Sequence, residues 1–251
     1  MTLWGADVIE SRHIQVDVGG KPMPCYLSRP AGAGTYPAVI VLEGVYGFDE
    51  ELTRLTDLVA SFGFVGLAIN YFHRDAPDLK EPFTPEGRAR GEAATKTVTK
   101  AGAHADVAAA RDWLNEQPFV TNGRIATWGF GFGGTMAFTT ATLPGLNAAV
   151  VFYGQSIASS LPSGEPAPIW DAREIRAPLL LIFGGKDEMI GQRDIGKITE
   201  TLTADNKRFD VQIYPNVGHS FFRATGTGGA ARESADAWDR VQAFLRRNLI
   251  T

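Results

Sequence analysis

Short runs of apolar and β-branched residues alternate along the chain with longer stretches in which apolar positions recur every three or four residues, and the alternation persists from about residue 36 onward. Runs at 38–42, 65–70, 124–128, 148–153, 179–183 and 210–214 read as strands, while 51–62, 105–116, 135–142, 193–204 and 231–248 carry helical spacing. A hairpin of 13–18 and 25–29 precedes them, with Gly19-Gly20 as its two-glycine connector. Eight strands with helices in the crossovers predict the α/β class: a mostly parallel sheet flanked by helices, in a single domain over residues 1–251. Two stretches break the pattern. Residues 75–104 and 156–171 each hold three prolines and follow a strand end. Both are expected to be irregular excursions, the first over the edge of the sheet where open parallel sheets bind ligands.

Composition narrows the function. With 44% hydrophobic residues in 251, the chain has enough apolar surface for a substantial core, and its apolar runs are much shorter than the roughly 20 residues that span a bilayer. No membrane span is expected. Lys and Arg total 24 against 28 Asp and Glu, a formal charge of −4 without any basic block, which argues against nucleic acid as a partner. One cysteine, Cys25, permits no internal disulfide, and its strand position suits a packed small apolar residue. Four scattered histidines give no metal-ligand spacing, and neither a metal nor a cofactor is expected. The first residues lack a basic stretch followed by a long apolar run, so a cytoplasmic location is expected.

The chemistry gathers at strand ends. After the strand at 124–128 comes Gly129-Phe130-Gly131-Phe132-Gly133-Gly134 and then a helix. Glycines flanking one central residue between strand and helix form a nucleophile elbow, whose central residue is ordinarily Ser or Cys. Here it is Gly131, so the turn is kept and the attacking atom is absent. The same letters satisfy G-x-G-x-x-G, yet the acidic residue expected about 20 positions later is replaced by Tyr153-Gly154-Gln155, against a dinucleotide site. Asp187 follows the strand at 179–183 and His219 follows the last strand, the acid-then-histidine order of an α/β-hydrolase, in which the carboxylate orients the imidazole. Backbone N–H groups of Phe132 and Val45 occupy the positions of an oxyanion hole, which requires no side chain.

The chain resembles the dienelactone hydrolase (carboxymethylenebutenolidase) family, on residues 23–30, 45–48, 68–74, 106–114, 129–134, 184–187 and 214–222. The resemblance implies an α/β-hydrolase fold and hydrolysis of esters or lactones, commonly carboxylate-bearing ones, by a cysteine, a histidine and an aspartate. His219 and Asp187 match the last two, and Gly131 stands in place of the cysteine. The family's glutamate lies two positions before the aromatic of an aromatic-Gly pair. Counting back from Tyr46, Gly44 stands there and Glu43 one step earlier, so Glu43 either shifts into the site or points away. Arg74, after Tyr71-Phe72-His73, and Arg223, four residues past His219, match the arginines that hold a substrate carboxylate, with Tyr46 beside them; His73 is expected to be solvated.

Three functions follow. One is an enzyme for a small carboxylate-bearing lactone, ester or related carbonyl compound, with His219 as general base and no Ser or Cys nucleophile; elimination, isomerisation or cyclisation is open to the same groups. Another is a small-molecule-binding protein without turnover. The third is an ordinary cysteine hydrolase inactivated at Gly131. The partner is a small carboxylate in each case, with the chain a monomer or a homodimer.

Overall fold

A computed structural model describes residues 8–223 and 230–250. The segment 1–7, on which the expectation about a leader partly rests, lies outside the described residues. Strands β1 (Ile9–Val18) and β2 (Lys21–Pro30) form the hairpin, with Val18 opposite Lys21 and Gly19 and Gly20 at φ 60° and 85°. Then come β3 (Tyr36–Leu42), β4 (Val65–Ile69), β5 (Val120–Phe130), β6 (Ala148–Phe152), β7 (Leu179–Gly184) and β8 (Phe209–Tyr214). They make one eight-stranded sheet in the order β1-β2-β4-β3-β5-β6-β7-β8, antiparallel across β1-β2-β4 and parallel from β4 to β8. Helices on the sheet complete the α/β-hydrolase architecture.

Those helices are α1 (Glu50–Ser61), α2 (Pro85–Ala94), α3 (Lys100–Asn115), α4 (Phe132–Thr140), α5 (Gln192–Ala204) and α6 (Ala231–Leu249). Strand β4 is buried along its whole length, as parallel strands covered on both faces must be. Trp128 on β5 stacks on Trp238 of α6 with ring centroids 5.3 Å apart, and Phe62 at the end of α1 meets Trp238 edge-on, so α1 and α6 are joined over the sheet.

Strands β1, β2 and β5 begin four residues ahead of the runs read from the sequence, and three helical departures each have a physical reason. Helix α4 starts at Phe132, three residues ahead of the predicted 135–142, because all nine of its residues are buried and a helix buried on every side shows no polar face. Helix α3 starts at Lys100 rather than 105, capped by Thr99, whose hydroxyl accepts from Gly102 N–H at 3.0 Å. The stretch 75–104, expected to be irregular, contains α2, with Thr84 as its cap and Pro85 in the first turn.

Helix α2 lies over the loop that follows β3. A Cβ on Gly91 would fall 1.9 Å from the carbonyl oxygen of Val45, so only glycine allows this approach. The preceding segment is tied to the same loop, with Phe48 N–H donating to Leu79 C=O at 2.9 Å and Glu81 N–H to Tyr46 C=O at 2.8 Å. The excursion is therefore a strap over the carboxyl edge of β3.

Candidate active site

The carboxyl ends of β3, β5, β6 and β8 open onto a cavity with about 650 Å3 of empty space, open solvent at its mouth included. Its floor is the elbow. Gly131 caps α4 at φ 56° and ψ −119°, held by its own N–H on Phe152 C=O (3.0 Å) and by its carbonyl accepting from Thr135 N–H (3.1 Å). An L-residue is strained at that φ, and glycine is not. Phe132 N–H, the first of the helix, has no intrahelical acceptor. Phe132 and Val45 both line the cavity.

His219 enters from the loop after β8. Its Nδ1 lies 2.8 Å from Asp187 Oδ2, and Asp187 Oδ1 accepts from the N–H groups of Met189 (2.8 Å) and Ile190 (3.2 Å), which fix the carboxylate. An ionised carboxylate only accepts, so Nδ1 carries the proton and Nε2 is left as the basic nitrogen. That Nε2 is 3.5 Å from where a Cβ on Gly131 would be. Tyr153 packs on the imidazole at 4.9 Å between centroids, in a backbone conformation of φ 38° that is strained for so bulky a residue. Burial pushes its phenol above the usual range, so it remains protonated.

Glu43, at the carboxyl end of β3, is also in the cavity wall, as is Gly44. Its side chain is buried, and neither carboxyl oxygen has a hydrogen-bond partner among the described residues. Desolvation, reinforced by the nearby Asp49 carboxylate, raises it well above the ordinary carboxylate range. The Glu43 carbonyl accepts from the Tyr71 hydroxyl at 2.7 Å and abuts Gly133, whose Cβ would stand only 2.0 Å away. Glu43 is thereby set against the elbow.

The arginines divide differently from the resemblance. Arg223 lies in the cavity wall, its guanidinium paired with Asp49 and packed on the rings of Tyr46 (5.0 Å) and Phe83 (4.7 Å), which touch each other. Arg74 is not among the cavity residues. It forms a two-pronged ion pair with Asp106 of α3 at 2.8 and 2.6 Å, and His73 Nε2–H donates to the same carboxylate at 3.1 Å. Asp106 is 1% exposed and requires a counter-charge at that depth, which draws Arg74 away from the ligand and buries His73, expected to be solvated. A different guanidinium, Arg88 of α2, lines the cavity and pairs with Glu92 at 2.7 Å. Thr84-Pro85, a helix-start signal within the proline-rich stretch, was the available clue to the element that carries it.

Cys25 is far from this chemistry. It is buried in β2 opposite Ile69 of β4, and burial pushes its thiol up to about 12. Among the described residues no group of three His, Cys, Asp or Glu side chains could hold a metal, and no helix is long and apolar enough to cross a membrane.

Comparison with known proteins agrees with the fold. The family model described as "Dienelactone hydrolase family" matches residues 23–249. A Synechocystis sp. protein bearing the name carboxymethylenebutenolidase is 30% identical over 224 residues, covering 89% of this chain and 91% of its own. A Bradyrhizobium sp. protein bearing the name 2-oxo-3-(5-oxofuran-2-ylidene)propanoate lactonase is 28% identical, covering 93% of this chain and 94% of its own. Among solved structures, one from Klebsiella pneumoniae bearing the name dienelactone hydrolase superposes with a TM-score of 0.85 at 25% identity, covering 95% of this chain and 99% of that one.

Proposed function

Given that the chain belongs to the dienelactone hydrolase family and is a hydrolase of the lactone and ester type, we propose that it hydrolyses a small carboxylate-bearing lactone or ester by direct attack of water. His219 is the base. The observation that carries this reading is the approach of His219 Nε2 to within 3.5 Å of the missing Cβ of Gly131, with Nδ1 anchored on Asp187. A water in the space above Gly131 would donate to Nε2 and attack the carbonyl carbon of a substrate placed as in an acyl-transfer site. The N–H groups of Phe132 and Val45 would hold the developing oxyanion. Loss of a nucleophile does not abolish such a site, since roughly 10³- to 10⁴-fold catalysis over water survives loss of triad members elsewhere.

Arg88 and Arg223 are the cationic side chains in the cavity wall and would bind the substrate carboxylate. The named substrate of the Bradyrhizobium relative, a lactone that is also a propanoate, suits a pocket of this kind. The test is a panel of carboxylated lactones and esters followed by mass spectrometry, with incorporation of one solvent ¹⁸O into the product acid. Wild-type turnover lost in His219→Ala supports the reading. Full activity in His219→Ala, or binding of the carboxylates without any product, overturns it.

A further inference from the structure

The Glu43 carboxyl is 2% exposed, stands in the same cavity wall as Gly131 and His219, and has no donor on either oxygen among the described residues. A buried carboxylate in that position would require a cation or several N–H groups. The charged groups around it offer neither. The Asp49 carboxylate, at the start of α1, repels a second negative charge; Arg223 pairs with Asp49 and Arg88 with Glu92, and neither guanidinium donates to the Glu43 oxygens; and the Tyr71 hydroxyl, from the turn after β4, is committed to Glu43's own carbonyl. The side chain is therefore a neutral acid, able to give a proton, while His219 Nε2 is able to take one. A neutral carboxyl that can give a proton and an imidazole nitrogen that can take one, lining the same cavity, divide the roles of acid and base.

We propose that Glu43 is the general acid of this site, protonating the departing oxygen of the substrate while His219 serves as base. The inference rests on the hydrolytic reading above and assigns the second proton of that reaction. In the first step a water oxygen forms a bond to the carbonyl carbon, the water proton passes to His219 Nε2, and the C=O electron pair moves onto the oxyanion. In the second step the oxyanion pair re-forms C=O and the bond from carbon to the leaving oxygen breaks. Its electron pair takes the proton of the Glu43 carboxyl. The result is an imidazolium and a Glu43 carboxylate, and transfer of the proton from the first to the second restores the resting state. Glu43 thereby acts without a thiol.

The experiment compares Glu43→Gln with the wild type on esters of one acid that differ only in leaving group, from a nitrophenol to a simple alcohol. An amide cannot supply the proton, so the variant is expected to retain turnover of the nitrophenyl ester within a few-fold and to lose about 10²-fold or more on the alkyl ester, in the range of general acid catalysis. His219→Ala should lose both. An equal loss on all esters, or no loss on any, overturns the assignment. Infrared spectra of wild-type protein carrying ¹³C-carboxyl glutamate give a readout independent of turnover and of the variant's folding. A protonated-acid C=O band at pH 7, assigned by its absence in Glu43→Gln or by its persistence when exposed glutamates have ionised, is expected. An ionised Glu43 at pH 7 overturns the proposal whatever the kinetics show. A wild type inert towards every ester removes the hydrolytic reading and with it the general-acid role, even where the protonated band shows a neutral Glu43.

Discussion

His219 Nε2 stands 3.5 Å from the point where a Cβ on Gly131 would lie, so the elbow presents an imidazole to a residue that has nothing for it to deprotonate. That clearance is ordinary van der Waals contact, so a Cβ at this position fits the space. The backbone is the obstacle. Gly131→Cys would place an L-residue at φ 56°, at a cost of about 1–3 kcal/mol. A drop in melting temperature of corresponding size is expected, together with an esterase activity abolished by iodoacetamide. Thermal denaturation and alkylation kinetics check both halves. A variant as stable as the parent argues against strain at the elbow, and a stable variant whose activity resists alkylation argues against the geometry.

The two arginines should separate binding from stability. Arg74 neutralises a carboxylate on Asp106 that is 1% exposed, while Arg74 itself keeps 27% of its side chain in solvent. Arg74→Ala leaves Asp106 with His73 alone, and a loss of about 2–4 kcal/mol in urea denaturation is expected, with ligand affinity per folded molecule unchanged. Arg88→Ala removes a cation from the cavity wall whose partner Glu92 is exposed on the same helix. It should leave the urea midpoint within about 0.5 kcal/mol and weaken binding of small carboxylates by calorimetry. The opposite pattern would return the ligand contact to Arg74.

That exchange of arginines marks the limit of what the residues announce. Asp187 and His219 are legible because each lies a few residues past the end of a β-run, and strand ends of a parallel sheet converge on one edge whatever the details of packing. Arg74 also follows a strand end, but its direction is decided by Asp106, more than thirty residues away on a helix, and no local pattern carries that pairing. Arg88 lies on a helix with almost no apolar periodicity, since α2 buries only Gly87 and Gly91 and touches its neighbours through glycine. Glu43 shows a third kind of limit. An offset of one residue from Gly44 leaves its direction open in the sequence, whereas the structure places both in the wall. The strained φ of Tyr153 has no sequence signal at all, because nothing in a tyrosine predicts a left-handed backbone.

Burial of Glu43 has a consequence for stability that can be measured without a substrate. In the folded chain its proton is held well above the ordinary value of 4.5, whereas the unfolded chain releases it near that value. Between the two, the folded state binds more protons than the unfolded, so stability is fully present below about pH 4.5 and declines as pH rises towards the folded-state value. Glu43→Gln removes this linkage. The variant should gain in melting temperature relative to wild type as pH is raised from 4.5 to 8, with the difference smallest at the acid end. A difference that is constant with pH would mean that Glu43 titrates alike in both states.

Gly91 tests whether the strap sets the geometry of the oxyanion donors. A Cβ there would stand 1.9 Å from the Val45 carbonyl oxygen and 3.3 Å from the Val45 Cβ, so Gly91→Val must displace either α2 or the loop that carries the Val45 N–H. That loop is held on the far side by the bonds from Phe48 to Leu79 and from Glu81 to Tyr46, which move with the strap. A shift of the donor by about 1 Å is enough to cost on the order of 10²-fold in rate. The expected result is a fall in kcat of that order, joined by a rise in KM where α2, which carries Arg88, is the part displaced. Gly196→Ala serves as the control. It lies on α5 with no atom within 4 Å of the added methyl, and should be neutral to activity and slightly stabilising. A Gly91→Val variant that raises KM in proportion to the loss of kcat/KM, with kcat intact, would assign the strap to ligand binding rather than to the oxyanion loop.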